Sequence, residues 1–420
     1  MSIGDIEVVV IGGGAAGIAA ARRLQAAGVE CLIVEARSRL GGRAWTVADT
    51  SGFALDLGCG WLHSADRNPW VKIARAQGRS FDTAPPPWAR ASMTDVIPLA
   101  EQNDFHEALV DFFKRVGPAA VEDIAAGRDR PASDLLPPGG RWNGLLNAAA
   151  TYIAGAEWDR LSTVDFDRYD DSDVNWRLPD GYGTAVAAYG HGLPVEFDCP
   201  VRRVDHRGKR LAIETAKGVI AATCAIVTLP STVLAEHEDF FVPALPDKTR
   251  AAAGLPLGLA DKFFMSLDGA NEFEREGRVF GRTDRAGTGN YHFRPFGRPM
   301  IEAYFGGQLA RELEAGGESA FFDFAVAELV GQLGSKIAAR IKPLRMHRWA
   351  ADPYARGSYS YAVPGAADQR AVLAAPVDQR LFFAGEACSR HDFSTAHGAY
   401  NTGVAAAEQI IAARQRTSLA

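Results

Sequence analysis

The sequence predicts an α/β protein in which a Rossmann-like nucleotide-binding domain is interleaved with an α+β domain of mixed sheet and helices. Three observations point there. The chain opens on a strand, a glycine turn, a helix and a second strand; its composition changes after Gly60; and its final segment returns to the opening style.

The elements follow in order. Residues Ile6 to Ile11 form a short apolar run rich in β-branched side chains, the pattern of a strand buried on both faces. GGGAAG (residues 12–17) comes next, then an Ala-rich helix over Ala15 to Ala27 that Gly28 stops, and a second buried strand over Cys31 to Val34. Together they make a βαβ unit, the setting a GxGxxG turn needs to hold a dinucleotide. Gly12 permits the tight turn, Gly14 lets backbone approach a pyrophosphate, and Gly17 allows helix to pack on strand. The helix N-terminus at Ala15 and Ala16 offers N–H groups to phosphate. Glu35 ends the second strand, where a carboxylate accepts from ribose hydroxyls, with Ala36 and Arg37 beside it. RLGGRAWT (residues 39–46) brings a second glycine pair, Gly41 and Gly42, and a cation, Arg43. This suits a second approach to the pyrophosphate, although in isolation it also reads as a plain turn.

Residues 81–195 break the strand–helix alternation with a proline run at 85–87, a proline pair at 137–138, and Trp88, Trp142, Trp158 and Trp176. A helix is expected over Phe105 to Val116. β character returns over 195–230, with strands at 259–267 and 300–306, a helix across Ala320 to Arg340, a strand in LFFAGEA and a closing helix from about His397 to Ala413. The expected division is 1–80, 195–254 and 350–420 for the nucleotide domain, and 81–194 and 255–349 for the inserted, substrate-binding one.

Composition excludes several classes. Of 420 residues, 47% are hydrophobic and 23% charged, which argues against disorder, and a net charge of −6 gives no electrostatic reason to bind nucleic acid or an anionic membrane. Five scattered cysteines fit neither a disulfide framework nor a zinc site, which favours a reducing compartment. The apolar N-terminus lacks the basic flank of a signal peptide, and no run of about 18 apolar residues predicts a membrane span. The expected location is therefore cytoplasmic. No histidine spacing suggests a metal site, His391 and His397 included.

Seven ordered blocks carry a resemblance: GGGAAG with Glu35, RLGGRAWT, DLGCGWLHSADRNPW (56–70), LADKFFMSL (259–267), RWAADPYARGSYSY (348–361), FAGEACS (383–389) and TAHGAYNTGVAAAEQI (395–410). The chain resembles the flavin-containing amine oxidases, which include monoamine oxidases, polyamine oxidases and lysine-specific histone demethylases. The resemblance implies FAD, an amine substrate oxidised at a C–N bond, and dioxygen as acceptor; a homodimer stays open. It places Lys262 against a water at flavin N5. A lysine in an apolar strand needs a partner, and burial beside a cofactor is expected to depress its pKa. Tyr359 matches an aromatic wall beside the flavin; Thr395 stands where monoamine oxidases carry a facing tyrosine, so that pair is incomplete. Ser358 replaces the cysteine that bonds covalently to flavin in monoamine oxidases, which implies non-covalent FAD.

Further contacts follow from the same resemblance. Gly58, Gly60 and Trp61 belong to the third block, Tyr354 and Trp349 to the fifth, and Gly385 with Glu386 to the sixth. Glu386 is matched to the ribityl and phosphate region, and Ala396 opens the final helix toward the flavin pyrimidine. Val201 is matched to a backbone contact with adenine, although an ordinary strand valine looks the same. Trp349 reads equally as core, and His63 is a candidate near the substrate. Which of Trp88, Trp142, Trp176, Phe166 or His292 faces the substrate is open, as is any role of Asp170, Asp171 and Asp173. The resemblance favours hydride transfer to N5 with imine hydrolysis and hydrogen peroxide. The alternatives are a dehydrogenase or desaturase of the same fold, or a flavin-binding protein without turnover. A histone substrate is disfavoured because the chain is not basic and has no room for docking modules.

Overall fold

β1 (Ser2–Ile11) shows why the opening reads as uninterrupted apolar sequence. Val8 and Val10 enter one core cluster while Val9 and Ile11 enter another on the opposite face. The computed structural model describes residues 2–419, with side chains described from Ile6 to Arg416. β1 starts earlier than its apolar pattern, because Ser2 already pairs with Val219. α1 (Ala15–Ala26) follows, stopped by Gly28 at φ +69°, and β2 (Cys31–Val34) pairs in parallel with β1. β3 (Thr46–Ala48) and β4 (Ala54–Asp56) form a small hairpin, and α2 (Pro69–Ala76) begins on the Asn68 cap.

Residues 81–194 supply helices: α3 (Leu99–Ala125), α4 (Asn143–Ala154), α5 (Thr163–Asp167) and α6 (Tyr182–Tyr189). The helix expected over Phe105 to Val116 is the middle of α3, which continues through Pro118. Burial of Val116, Ala119 and Ala120 holds it past the residue that local propensity would use to end it. β5 (Val195–Glu196), β6 (Val201–Asp205), β7 (Leu211–Thr215), β8 (Gly218–Val227), α7 (Ser231–Glu236), β9 (Phe241–Val242) and α8 (Pro246–Ala253) come next. The first sheet runs β5-β2-β1-β8-β7-β6-β9.

β10 (Ala260–Leu267), β11 (Gly277–Phe280), β12 (Asn290–Phe293), β13 (Met300–Gly306) and β14 (Ile341–Met346) form a second, antiparallel sheet in the order β11-β12-β13-β10-β14. α9 (Gly307–Gly316) and α10 (Glu318–Leu333) follow β13. α10 stops short of the expected Arg340, because Gly334 at φ +83° turns the chain into a short 3-10 segment. One face of the sheet, with Phe263, Tyr291, Phe293, Ile301 and Phe305, packs with Phe321 and Leu329 of α10. Alternation leaves the other face free for polar groups.

After α11 (Gln369–Ala374), β15 (Leu381–Phe383) joins β8 in parallel, so the two ends of the chain share one sheet. α12 (Ala396–Leu419) outlasts the expected Ala413 and lies against α1. Their approach depends on small residues: a Cβ on Gly403 would fall 2.1 Å from the Ala16 carbonyl oxygen. No helix among the described residues is long and apolar enough to cross a membrane.

Candidate active site

The two glycine turns meet. Gly41 N–H donates to the Gly13 carbonyl at 2.8 Å, and a Cβ on Gly42 would stand 3.2 Å from Gly14 Cα. Gly12 sits at φ +106°, and a Cβ on Gly17 would collide with the Gly12 carbonyl oxygen at 1.9 Å. Gly17 is thus a packing residue below the turn. The other residues predicted from sequence, Gly12, Gly14, Ala15 and Ala16 among them, border one cavity of about 1590 Å³. That exceeds the roughly 300–1,000 Å³ of a drug-sized pocket and leaves room for a dinucleotide and a substrate together.

A flavin dinucleotide fits the residues at this end. α1 has Gly14 at its N-cap, no side-chain cap and no acid in its first turn, so its leading N–H groups face the cavity unblocked. Glu35 is buried at the end of β2; its carboxylate accepts from Gly13 N–H at 2.6 Å and Arg37 N–H at 2.8 Å. Arg37 pairs with Asp352 at 2.7 Å and lies over the Tyr354 ring, while Ala36 and Val201 border the same end. Arg43 donates to Glu386 at 2.9 Å and to the Ser358 carbonyl at 2.7 Å, tying the second glycine turn to the C-terminal block beside Gly385. Glu386 also accepts from Ser360 Oγ and Ser394 N–H. Burial alone would raise its carboxyl, but Arg43, Ser360 and Arg370 hold it below the ordinary range.

Thr395 Oγ accepts from Gly398 N–H at 2.9 Å, capping α12 so that Ala396 and the helix start stand at the cavity. Trp349 is both core and wall: fully buried, it donates through Nε1 to the Leu57 carbonyl at 3.0 Å and borders the cavity. A Cβ on Gly58 would meet the Arg43 carbonyl at 1.7 Å and Trp349 at 3.2 Å, which explains a glycine there. Ser358 Oγ is engaged with both backbone groups of Ala260, at 2.8 and 2.9 Å.

The free face of the second sheet forms the opposite wall. Lys262 on β10 is nearly buried, with its ammonium 3.3 Å from Glu302 on β13. A Cβ on Gly60 would lie 2.9 Å from that nitrogen, so glycine there leaves the lysine its space. The expected depression of the Lys262 pKa is not found. Burial pulls it down, but Glu302, Asp56 and Tyr304 outweigh burial, and the ammonium is held above its usual range. The same ion pair holds Glu302 low against its burial. Tyr359 donates to the Tyr152 carbonyl at 2.7 Å, and its hydroxyl meets that of Tyr304 at 3.1 Å. Tyr359 therefore has a tyrosine partner from β13, while Thr395 serves as a helix cap.

His63 borders the cavity with Nδ1 2.6 Å from Asn175 Oδ1, and burial lowers its pKa despite Asp171 nearby. Trp61 packs edge-on against Trp88 at 4.4 Å, and Trp88, Trp142, Phe166 and His292 all face the cavity. Trp176 instead packs on Phe81. Asp171 and Asp173 border the cavity, whereas Asp170 is bound to Arg67 at 2.7 Å. Sequence reasoning missed Glu302 and Tyr304. Their signal was present in the strand Met300–Gly306, where polar side chains alternate with Ile301, Ala303 and Phe305.

This combination of a dinucleotide fold, paired glycine turns and a lysine-bearing polar sheet defines a flavin-dependent oxidoreductase. The chain matches the model of the flavin containing amine oxidoreductases over residues 15–92 and 101–411, and it belongs to that family. It is 30% identical to polyamine oxidase 2 of Arabidopsis thaliana, over 96% of this chain and 87% of that protein. It is 26% identical to polyamine oxidase 4 of Oryza sativa subsp. japonica, over 96% and 88% of the two chains. Similarity extends to lysine-specific histone demethylase 1 homolog 2 of Arabidopsis thaliana, at 27% identity, although this chain spans only 58% of that protein. The chain is thus an amine-oxidising oxidoreductase that uses a flavin.

Proposed function

We propose that the chain holds FAD non-covalently and oxidises a small-molecule amine, with dioxygen as electron acceptor and hydrogen peroxide as product. The observation that carries this reading is Lys262, an ammonium held by Glu302 on a cavity wall that also presents the Tyr304 and Tyr359 rings. The nucleotide domain comprises 1–80, 195–254 and 350–420, and the substrate domain 81–194 and 255–349. Glu35 and Val201 hold the adenosine end, Gly14, Gly42 and Arg43 the pyrophosphate, and Glu386 the ribityl side. The capped start of α12 faces the ring. Bound there, FAD supplies a hydride acceptor at N5 for the carbon alpha to a neutral amine, and its reduced form returns electrons to dioxygen.

The chain's own groups do the rest. Tyr359 and Tyr304 give the amine a rigid aromatic passage, and the apolar chamber favours its neutral form. Lys262, charged at neutral pH, holds a water beside the reacting centre. The imine product is hydrolysed to a carbonyl compound and a smaller amine. Adding a broad amine panel to the purified yellow protein without oxygen tests the reading. Bleaching by at least one amine, then peroxide on readmitting air, is the expected result. No bleaching by any amine would overturn it, and bleaching without peroxide would assign a different acceptor.

A further inference from the structure

Where the polar face of the second sheet borders the cavity, it carries three side chains that bear or can bear positive charge, and they are not treated alike. Lys262 is paired with Glu302, and His292 is 2.7 Å from Glu276. Arg278 on β11 faces the same cavity with no acidic partner among the described residues. Its Nε donates to Asn290 Oδ1 at 2.9 Å, and its guanidinium lies 4.5 Å from the Phe280 ring. These two contacts aim the fork and leave both terminal nitrogens to the cavity. The surroundings are apolar, with Phe105, Leu109, Trp142 and Leu145 on the facing helices. Glu101, which borders the cavity on α3, is occupied by Arg141 at 3.0 Å. Burial pulls the guanidinium down to about 10, which still leaves it charged at neutral pH.

A half-buried arginine whose fork opens into a largely apolar chamber is well placed to be completed by an anionic ligand. We infer that Arg278 is a specificity residue that receives a carboxylate at the far end of the substrate, so that the preferred amine is an amino acid of extended spacing rather than a polyamine. The inference rests on the amine-oxidase reading of the same cavity. Arg278 stands three strands from Lys262 in the order β11-β12-β13-β10, about 14 Å across the ladder. An α-amino acid is too short to span that distance. A chain of several carbons or an aryl ring must separate amine from carboxylate, and the walls that would enclose it are aromatic. A polyamine would instead bring a second ammonium toward Arg278, like charge against like.

The test uses the holoenzyme with three probes: a 4-(ω-aminoalkyl)benzoic acid, its methyl ester and spermidine. The carboxylate is expected to exceed its ester in kcat/KM by roughly tenfold to a hundredfold, mainly through KM, the range of a charge-assisted hydrogen-bonded contact. Arg278→Met should erase that preference, and Arg278→Lys should restore part of it. A second arm needs no turnover: an aryl carboxylate without an amine should perturb the flavin absorbance of the wild type and fail to do so in Arg278→Met. Equal oxidation of acid and ester, preference for spermidine, or equal carboxylate binding by wild type and Arg278→Met would each overturn the inference. The first two of these leave amine oxidation standing. If no amine bleaches the flavin, the functional reading fails and the binding arm alone decides the role of Arg278.

Discussion

At the scale of single residues, the Lys262–Glu302 pair decides how the centre responds to pH. Lys262 is raised in the fold, so the pair's contribution is fully present below the ordinary lysine value of about 10.4 and is lost as pH rises through the folded value. Glu302 is held low, so its share is present above about 4.3 and is lost as pH falls through its folded value. Glu302→Gln removes the largest of the charges that oppose burial. The Lys262 ammonium should then titrate lower, and the alkaline limb of the pH profile for flavin reduction should move to lower pH. An unchanged profile would assign the control to Asp56 instead. Lys262→Met should leave flavin bound but slow its reduction or reoxidation strongly. Stopped-flow traces identical to wild type would remove the lysine from the proposed mechanism.

At the scale of elements, a buried ion pair fastens α11 to α5 and reaches the proposed cofactor site. Arg370 is fully buried and grips Asp165 through two hydrogen bonds at 2.7 and 2.8 Å. Its third donor reaches Ser360 Oγ at 3.0 Å, and Ser360 in turn donates to Glu386 at 2.6 Å. Arg370→Ala strands the Asp165 carboxylate in the interior, a loss of about 3–5 kcal/mol. The expected outcome is a lower thermal midpoint together with weaker flavin retention, because Glu386 loses part of its support. Replacing both partners by apolar residues of similar volume should recover much of the stability. A single variant as stable as wild type would show that water reaches the pair.

At the scale of the whole molecule, one cavity is assembled from both ends of the chain and from the second sheet. The proposed cofactor therefore joins parts that no local segment holds together. Acid precipitation should release the yellow chromophore into the supernatant, since Ser358 offers no thioether and is engaged with Ala260. Colour retained in the pellet would reveal a covalent link elsewhere. Adding FAD to the apoprotein at about a hundredfold excess over Kd should stabilise it by about 2.7 kcal/mol.

The opening unit was legible because its determinants are local. Glycine's freedom at φ +106° in Gly12, the absent Cβ at Gly17 and the β-branched run of β1 act within a few residues of where they are written. Pairings across the sheet were not legible. Glu302 meets Lys262, and Tyr304 meets Tyr359, only because β13 pairs with β10 in one register, with Lys262 opposite Tyr304. A slip of one residue would turn those side chains into the apolar core. Trp88 and Trp176 looked alike in sequence, yet tertiary packing puts one at the cavity and the other against Phe81. The sequence by itself determined the nucleotide-binding turn and the family of the chain. Sheet order and register, which depend on residues far apart in the chain, decided which charges face the cavity and which of them stand paired.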